Sequence, residues 1–277
     1  MRNLLCANFA RLWKNKAFWA CMIFMAGFGL FSVGMRYRNA PAAPIDQIFF
    51  FQAVIIGLVS PLFCGLFLGT EYSDGTMRNK LIVGQKREKI YLSSFIVCTC
   101  AAVMMVASNY TAVALVGIPL LGGIEVPIAS FLSMTLISLM LTITFCSLFT
   151  AIGMNIQNKS SAIVVIILSV ILLFAVAIFI NNGLDEPEYL IDYAQIIITD
   201  SQDNVEPILN TEPNPAYLTG STRAIYQFFL DALPTGQTIQ LSQMSVPDGL
   251  QLPFYSCIVS IVSTIAGLWI YRKKDLK

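Results

Sequence analysis

The chain has 277 residues, 56% of them hydrophobic and only 12% charged, with a formal net charge of +1 and no histidine; its mean hydropathy is +0.71. Soluble domains carry charge on roughly a quarter of their residues, so this composition excludes a water-soluble globular protein, and the missing histidine excludes histidine catalysis. Seven cysteines, an odd number without regular spacing, argue against a disulfide framework and a metal site; they fit small lipid-compatible side chains.

Residues 1–16 are expected to form an interfacial helix. Leu5, Phe9 and Leu12 fall on one face with Trp13 beside them, while Arg2, Arg11, Lys14 and Lys16 meet anionic headgroups. The first apolar run, Ala17–Gly34, is too long for a signal-peptide core. It is followed by Met35-Arg36-Tyr37, not by a small-residue cleavage site, and so is expected as a retained span. Five further runs approach or exceed the ~20 residues that cross ~30 Å of hydrocarbon: Ile48–Thr70, Tyr91–Gly117, Ile128–Met154, Ser160–Ile180 and Pro253–Tyr271. Pro119 and Gly122-Gly123 separate the third from the fourth. Between the fifth and sixth lies the long polar segment 181–252, which holds ten acidic residues against Arg223 alone. Within it Thr219 or Ser221 is expected to cap a helix running to about Leu233, with Ile225, Phe228 and Phe229 on an apolar side and Pro234 and Gly236 as its stop. This segment reads either as a lid or as a stabilising outer cap.

Basic residues orient the six spans. With the amino terminus inside, fourteen of the seventeen lysines and arginines lie in inner segments, a strong positive-inside bias that puts both termini in the cytoplasm. None of the six runs holds Asp, Glu, Lys, Arg or His. Ion-coupled carriers and proton pumps usually need such a group at membrane depth, so ion coupling is disfavoured and voltage sensing excluded. Asn109 and Asn155 are the candidate polar lining of the spans, with helix–helix hydrogen bonding as the preferred role. No P-loop is present, so any ATP must be handled by another polypeptide, and no nucleophile–base pair suggests an enzyme.

The most distinctive stretch joins the second and third spans, residues 71–90, with Glu71-Tyr72-Ser73-Asp74-Gly75-Thr76-Met77-Arg78-Asn79-Lys80-Leu81-Ile82-Val83-Gly84 at its start. Ser73 or Asp74 is expected to cap a short helix that Gly84 ends. Physically the stretch is either an ordinary charged connector or a docking element.

This pattern, continuing to Arg87, Ile90, Tyr91 and Leu92, resembles the permease subunits of bacterial type-2 ABC exporters, in the branch common in Gram-positive bacteria. Asn214-Pro215-Ala216-Tyr217, Gly220, Arg223 and Leu233-Pro234-Thr235-Gly236-Gln237 in the outer segment are similar to that branch as well. The resemblance implies one permease domain over 1–277 with an all-α, polytopic fold of six transmembrane helices, an elbow helix at 1–16 and a coupling loop at 71–90. It places the chain in a bacterial plasma membrane, where it exports an amphipathic substrate such as a drug, antimicrobial peptide or lipid. The implied partners are membrane lipid, a second permease that is identical or similar, and two copies of an ATP-binding subunit that hold ATP and magnesium. No cofactor and no nucleic acid is expected on this chain. The implied ATPase contacts are Glu71, Tyr72, Gly75, Thr76, Met77, Arg78, Lys80 and Leu81: Arg78 and Lys80 toward acidic groups, and Met77 and Leu81 as apolar contact. The alternative from another class is a membrane sensor or immunity protein that binds a ligand without pumping.

Overall fold

The computed structural model describes residues 1–39, 45–192, 210–246 and 251–274. Ten helices dominate these residues: α1 (Arg2–Trp13), α2 (Lys16–Asn39), α3 (Asp46–Ser73), α4 (Thr76–Ile82), α5 (Arg87–Leu121), α6 (Ile128–Asn155), α7 (Lys159–Asp185), α8 (Gly220–Ala232), α9 (Pro234–Gln243) and α10 (Gln251–Lys273). Six of them, α2, α3, α5, α6, α7 and α10, are long and apolar enough to cross a membrane, and they match the six expected runs. Each helix extends beyond its apolar run at one end or both. The longest, α5, has 35 residues, or ~52 Å at 1.5 Å per residue.

The helices alternate in direction, so α1, α4, the end of α6 and the end of α10 gather at what we term the near end. The end of α2, the start of α3 and the α5–α6 turn, with α8 and α9, lie at the far end. Over half of the apolar stretch of α3, α5 and α6 is buried within the chain, against less than a quarter for α2, α7 and α10. Rows of exposed side chains such as Ile23, Leu168, Leu172, Ile261 and Ile265 cover the outer faces of those three helices. Such faces are stable against lipid tails and not against water. Pro61 lies inside α3, where it cannot donate to the carbonyl of Gly57.

Lipid supplies no hydrophobic drive between spans, so small residues and polar side chains knit them together. On α6, Thr144 donates to the Ser256 carbonyl of α10 at 3.1 Å and Ser147 to that of Ser260 at 2.8 Å, and Asn155 donates to that of Gly267 at 3.2 Å. Asn109 of α5 donates to the Met25 carbonyl of α2 at 2.9 Å, and Ser108 to that of Met22 at 3.1 Å. The α3–α6 contact is tied by Gln52, whose amide donates to Ser138 Oγ at 2.9 Å. Gln52 sits in mid-run in the sequence and was not among the polar residues singled out from it.

The far end holds more secondary structure than the sequence suggested. After α7, two short strands, β1 (Tyr189–Asp192) and β2 (Asn210–Pro213), pair antiparallel with Tyr189 opposite Pro213. Residues 193–209 and 247–250, with Asp200, Asp203, Glu206 and Asp248 of the acidic set, lie outside the described residues, as do 275–277. Asn214 fixes the strand exit by donating to the Pro187 carbonyl at 2.9 Å. Arg223 donates to the Leu184 carbonyl at 3.1 Å while lying over the Tyr217 ring. The apolar side of α8 (Ile225, Phe228, Phe229) faces outward.

α8 starts after Thr219 and ends at Ala232, as expected, and Pro234 and Gly236 then open a second helix, α9, that the sequence pattern did not foretell. Pro234 occupies the first turn of α9, where its missing N–H costs nothing. Gly236 lets α9 turn back tightly on α8: a Cβ there would stand 2.9 Å from the carbonyl carbon of Leu230 and 3.0 Å from its Cα. The α9 sequence is polar, yet most of it is buried, with side-chain hydrogen bonds offsetting much of the cost. Gln237 donates to the Asp231 carbonyl at 2.7 Å and accepts from Ser256 at 2.6 Å. Gln240 donates to the Asp231 carboxylate at 2.8 Å. Replacing Gly236 with alanine should therefore destabilise the far end by about 1–3 kcal/mol through overpacking. Thermal unfolding in detergent should register this as a lowered midpoint, whereas Ser221→Ala on the exposed start of α8 should leave it unchanged.

Candidate functional site

At the near end α3 runs on through Glu71, Tyr72 and Ser73, so neither Ser73 nor Asp74 caps α4. The cap position falls to Gly75, with φ 68° and no side-chain cap. That left-handed backbone is open to glycine without cost and lets the chain reverse within two residues. Thr76 secures the reversal by donating to the Glu71 carbonyl at 2.9 Å. Gly84, at φ 82°, closes α4: its N–H meets the Leu81 carbonyl at 2.9 Å, and that of Gln85 meets the Lys80 carbonyl at 3.1 Å. This pairing is a Schellman motif, which satisfies carbonyls left free at a helix end.

Glu71 is 0% exposed. Its Oε1 takes the guanidinium of Arg11 from α1 and, at 2.9 Å, the ammonium of Lys80 from α4. Lys80 also donates to Asn8 Oδ1 at 2.8 Å, and Asn8 donates to Ser93 Oγ of α5 at 3.2 Å. Arg11 donates in addition to the Phe67 carbonyl at 2.6 Å and covers the Phe67 ring at 4.4 Å. One carboxylate thus ties α1, α3 and α4, and Asn8 extends the network to α5. The buried line of α1 is accordingly Leu4, Asn8 and Leu12, with Leu5 and Phe9 flanking it. This face is rotated from the one expected because Asn8 has partners to meet.

A second cluster binds the end of α10 to the same corner. Arg87, opening α5, donates to the carbonyls of Tyr271 at 3.2 Å, Arg272 at 3.0 Å and Lys274. A cation there satisfies orphan carbonyls and opposes the negative end of the helix dipole. Lys274 reaches the Asn155 carbonyl at 2.6 Å, and burial lowers its pKa. Tyr72 donates to the Met154 carbonyl, and Met77, 2% exposed, accepts from the Tyr271 hydroxyl at 3.8 Å.

The residues singled out from the sequence therefore divide into two sets. Glu71, Tyr72, Thr76, Met77 and Lys80 are engaged inside the chain, with Leu81 half-buried against the core. Lys80 is thus not free to meet an outside acid, Met77 is not an open apolar contact, and Arg11 answers Glu71, not a headgroup. Arg78 points outward beside Asn79, Ile82 (73% exposed) and Val83 (75% exposed), with Lys86 and Lys89 close by in sequence and exposed as well. Asn109 and Asn155 lie at helix contacts away from this corner or on its α6–α10 side. Asn8 and Ser93 were not anticipated, and Arg87 was named only as part of the loop pattern, without a role. The one sequence signal was Asn8, a polar residue on the Leu4–Leu12 line. Among the described residues no metal-binding group of three or more His, Cys, Asp or Glu converges.

Removing one partner from a buried ion pair leaves the rest uncompensated and costs ~3–5 kcal/mol. Because Arg11 and Lys80 keep partial access to solvent, Glu71→Ala should fall near the low end, about 3 kcal/mol. Limited proteolysis should then cut residues 1–16 at least tenfold faster, while Asp74→Ala should leave the rate unaltered.

No protein-family model matches this chain, and no curated protein matches it.

Proposed function

We propose that this chain is the membrane-spanning subunit of an ATP-driven exporter for an amphipathic substrate, with ATP and magnesium held by a separate ATP-binding subunit. The observation that carries this reading is the outward face of α4. Ile82 and Val83 form an exposed apolar tip beside Arg78, at the end of the bundle where basic residues concentrate. A tip of this kind fits an apolar groove with an acidic rim on a protein partner. Most of the affinity would come from the apolar pair, since exposed ion pairs contribute only ~0–1 kcal/mol each. The Glu71 network supports the same reading from within. It locks α4 to α1, α3 and α5, so a push on α4 is a push on the spans.

On this reading two ATP-binding subunits close on ATP and turn the α4 corners of two permeases, identical or similar, which rock between inward- and outward-facing forms. The basic residues Arg2, Lys14 and Lys16 hold α1 at the headgroups of the bacterial plasma membrane, with both termini in the cytoplasm. The chain itself carries out no chemistry.

The double substitution Ile82→Ser and Val83→Ser should weaken co-purification of the ATP-binding subunit at least tenfold and abolish stimulation of its ATPase in reconstituted complex. The unfolding midpoint should stay put, because neither side chain is packed. Undiminished stimulation in that variant would refute docking through α4. A chain that retains its ligand but associates with no ATPase would favour the sensor or immunity alternative.

A further inference from the structure

We propose that the seam between α2 and α3 is a binding groove for one anionic phospholipid, with the headgroup on Arg36 at the far end and an acyl chain running toward the middle of the bundle. α2 is stitched to α5 by Asn109 and Ser108, and its contact with α3 is left partly open. Two cavities lie end to end along that opening. The inner one, about 510 Å³, is walled by Phe24, Ile55, Leu62 and similar side chains without a charged or amide group. The outer one, about 450 Å³, has Phe28, Phe31 and Phe51 as its floor and Arg36 and Gln47 at its mouth. Between them the rings of Phe28 and Phe51 stack at 5.9 Å.

Dimensions and charge select the occupant. From Phe28 to Asn39 along α2 is ~16 Å at 1.5 Å per residue, about half of a ~30 Å hydrocarbon core, so the outer cavity matches one leaflet. Polarity is graded as in a lipid, apolar along the length and cationic at the rim. Arg36 donates to Gln47 Oε1, a neutral acceptor, at 2.8 Å. Among the described residues no carboxylate pairs with Arg36 or with Arg38. Most of the five guanidinium donors are thus free for a phosphate, which matches that planar fork in two-point contact. A net negative headgroup is preferred over a zwitterionic one, whose own cation would be repelled. A second copy laid on the same seam by two-fold symmetry would bring unpaired arginines of both copies together, which opposes that occupant. The groove does not depend on the transport reading, because binding here requires no ATP.

The test uses the full chain in nanodiscs of zwitterionic lipid, doped with trace phosphatidylglycerol or phosphatidylcholine that carries a photoreactive diazirine in one acyl chain. Labelled residues are mapped by peptide mass spectrometry. Phosphatidylglycerol should label the 28–35 and 47–51 stretches at least fivefold more than phosphatidylcholine. The exposed face of α7 (Leu168, Leu172) should take both equally and so report intact folding. Arg36→Gln should reduce the preference to near one and Arg36→Lys should retain it. Phe31→Trp, which fills the outer cavity, should cut labelling by phosphatidylglycerol with Arg36 still present. Equal labelling of the seam by the two lipids would mean bulk lipid only and overturn the site. So would a preference that survives Arg36→Gln, or an unlabelled seam beside a labelled α7, which would mean that protein covers it.

Discussion

A carboxylate withdrawn from water at the end of α3 governs the near end of this molecule. Burying an ion costs several kcal/mol unless partners replace its hydration, and Glu71 has two cations in contact, one from α1 and one from α4. The dependence runs both ways. α4 has seven residues and α1 has twelve, lengths at which an isolated helix is marginal in water. Neither would persist without an anchor, and the carboxylate could not stay buried without them. The result is a corner in which the amino-terminal helix, the short loop helix and the bases of two spans behave as one piece.

Away from that corner the bundle is organised by a contrast between centre and rim. α3, α5 and α6 are packed on most sides, whereas α2, α7 and α10 turn long apolar faces outward. Hydroxyl and amide side chains do the joining: Thr144, Ser147 and Asn155 along α10, Asn109 and Ser108 along α2, Gln52 across to α6. Each meets a backbone carbonyl or another hydroxyl, so the polar groups in the lipid-facing region are mostly turned inward. The far end uses the same chemistry at higher density, with Gln237, Gln240 and Asp231 allowing a polar helix to be enclosed.

The six spans were legible in the sequence because hydropathy over ~20 residues is a bulk property that no single partner decides. Their ends were less so, since a helix continues past the hydrocarbon: α2 carries Arg36 and Arg38 within its last turn. Glu71 and Lys80 read as surface charges because they fall in a basic connector. Their partners Asn8 and Arg11 lie some sixty to seventy residues away, a distance over which pattern reasoning has no reach. Gly75 took the capping position from Ser73 and Asp74 because α3 had not yet ended. Pro234 and Gly236 follow the end of α8 as expected and also open α9, a second role that only the return of α9 onto α8 reveals. Gln52 was hidden by averaging, one amide in a strongly apolar window.

The proline within α3 gives the helix uneven stiffness. Below it the helix is clamped at Glu71 and Tyr72; above it, Gln52 holds α6 and Asp46 holds the backbone N–H of Glu125. Both halves are fixed to different neighbours, and one rung of the ladder between them is missing at Pro61, so they are joined less stiffly than in an uninterrupted helix. A residue with a backbone N–H at position 61 would let that rung form and join the two halves more firmly.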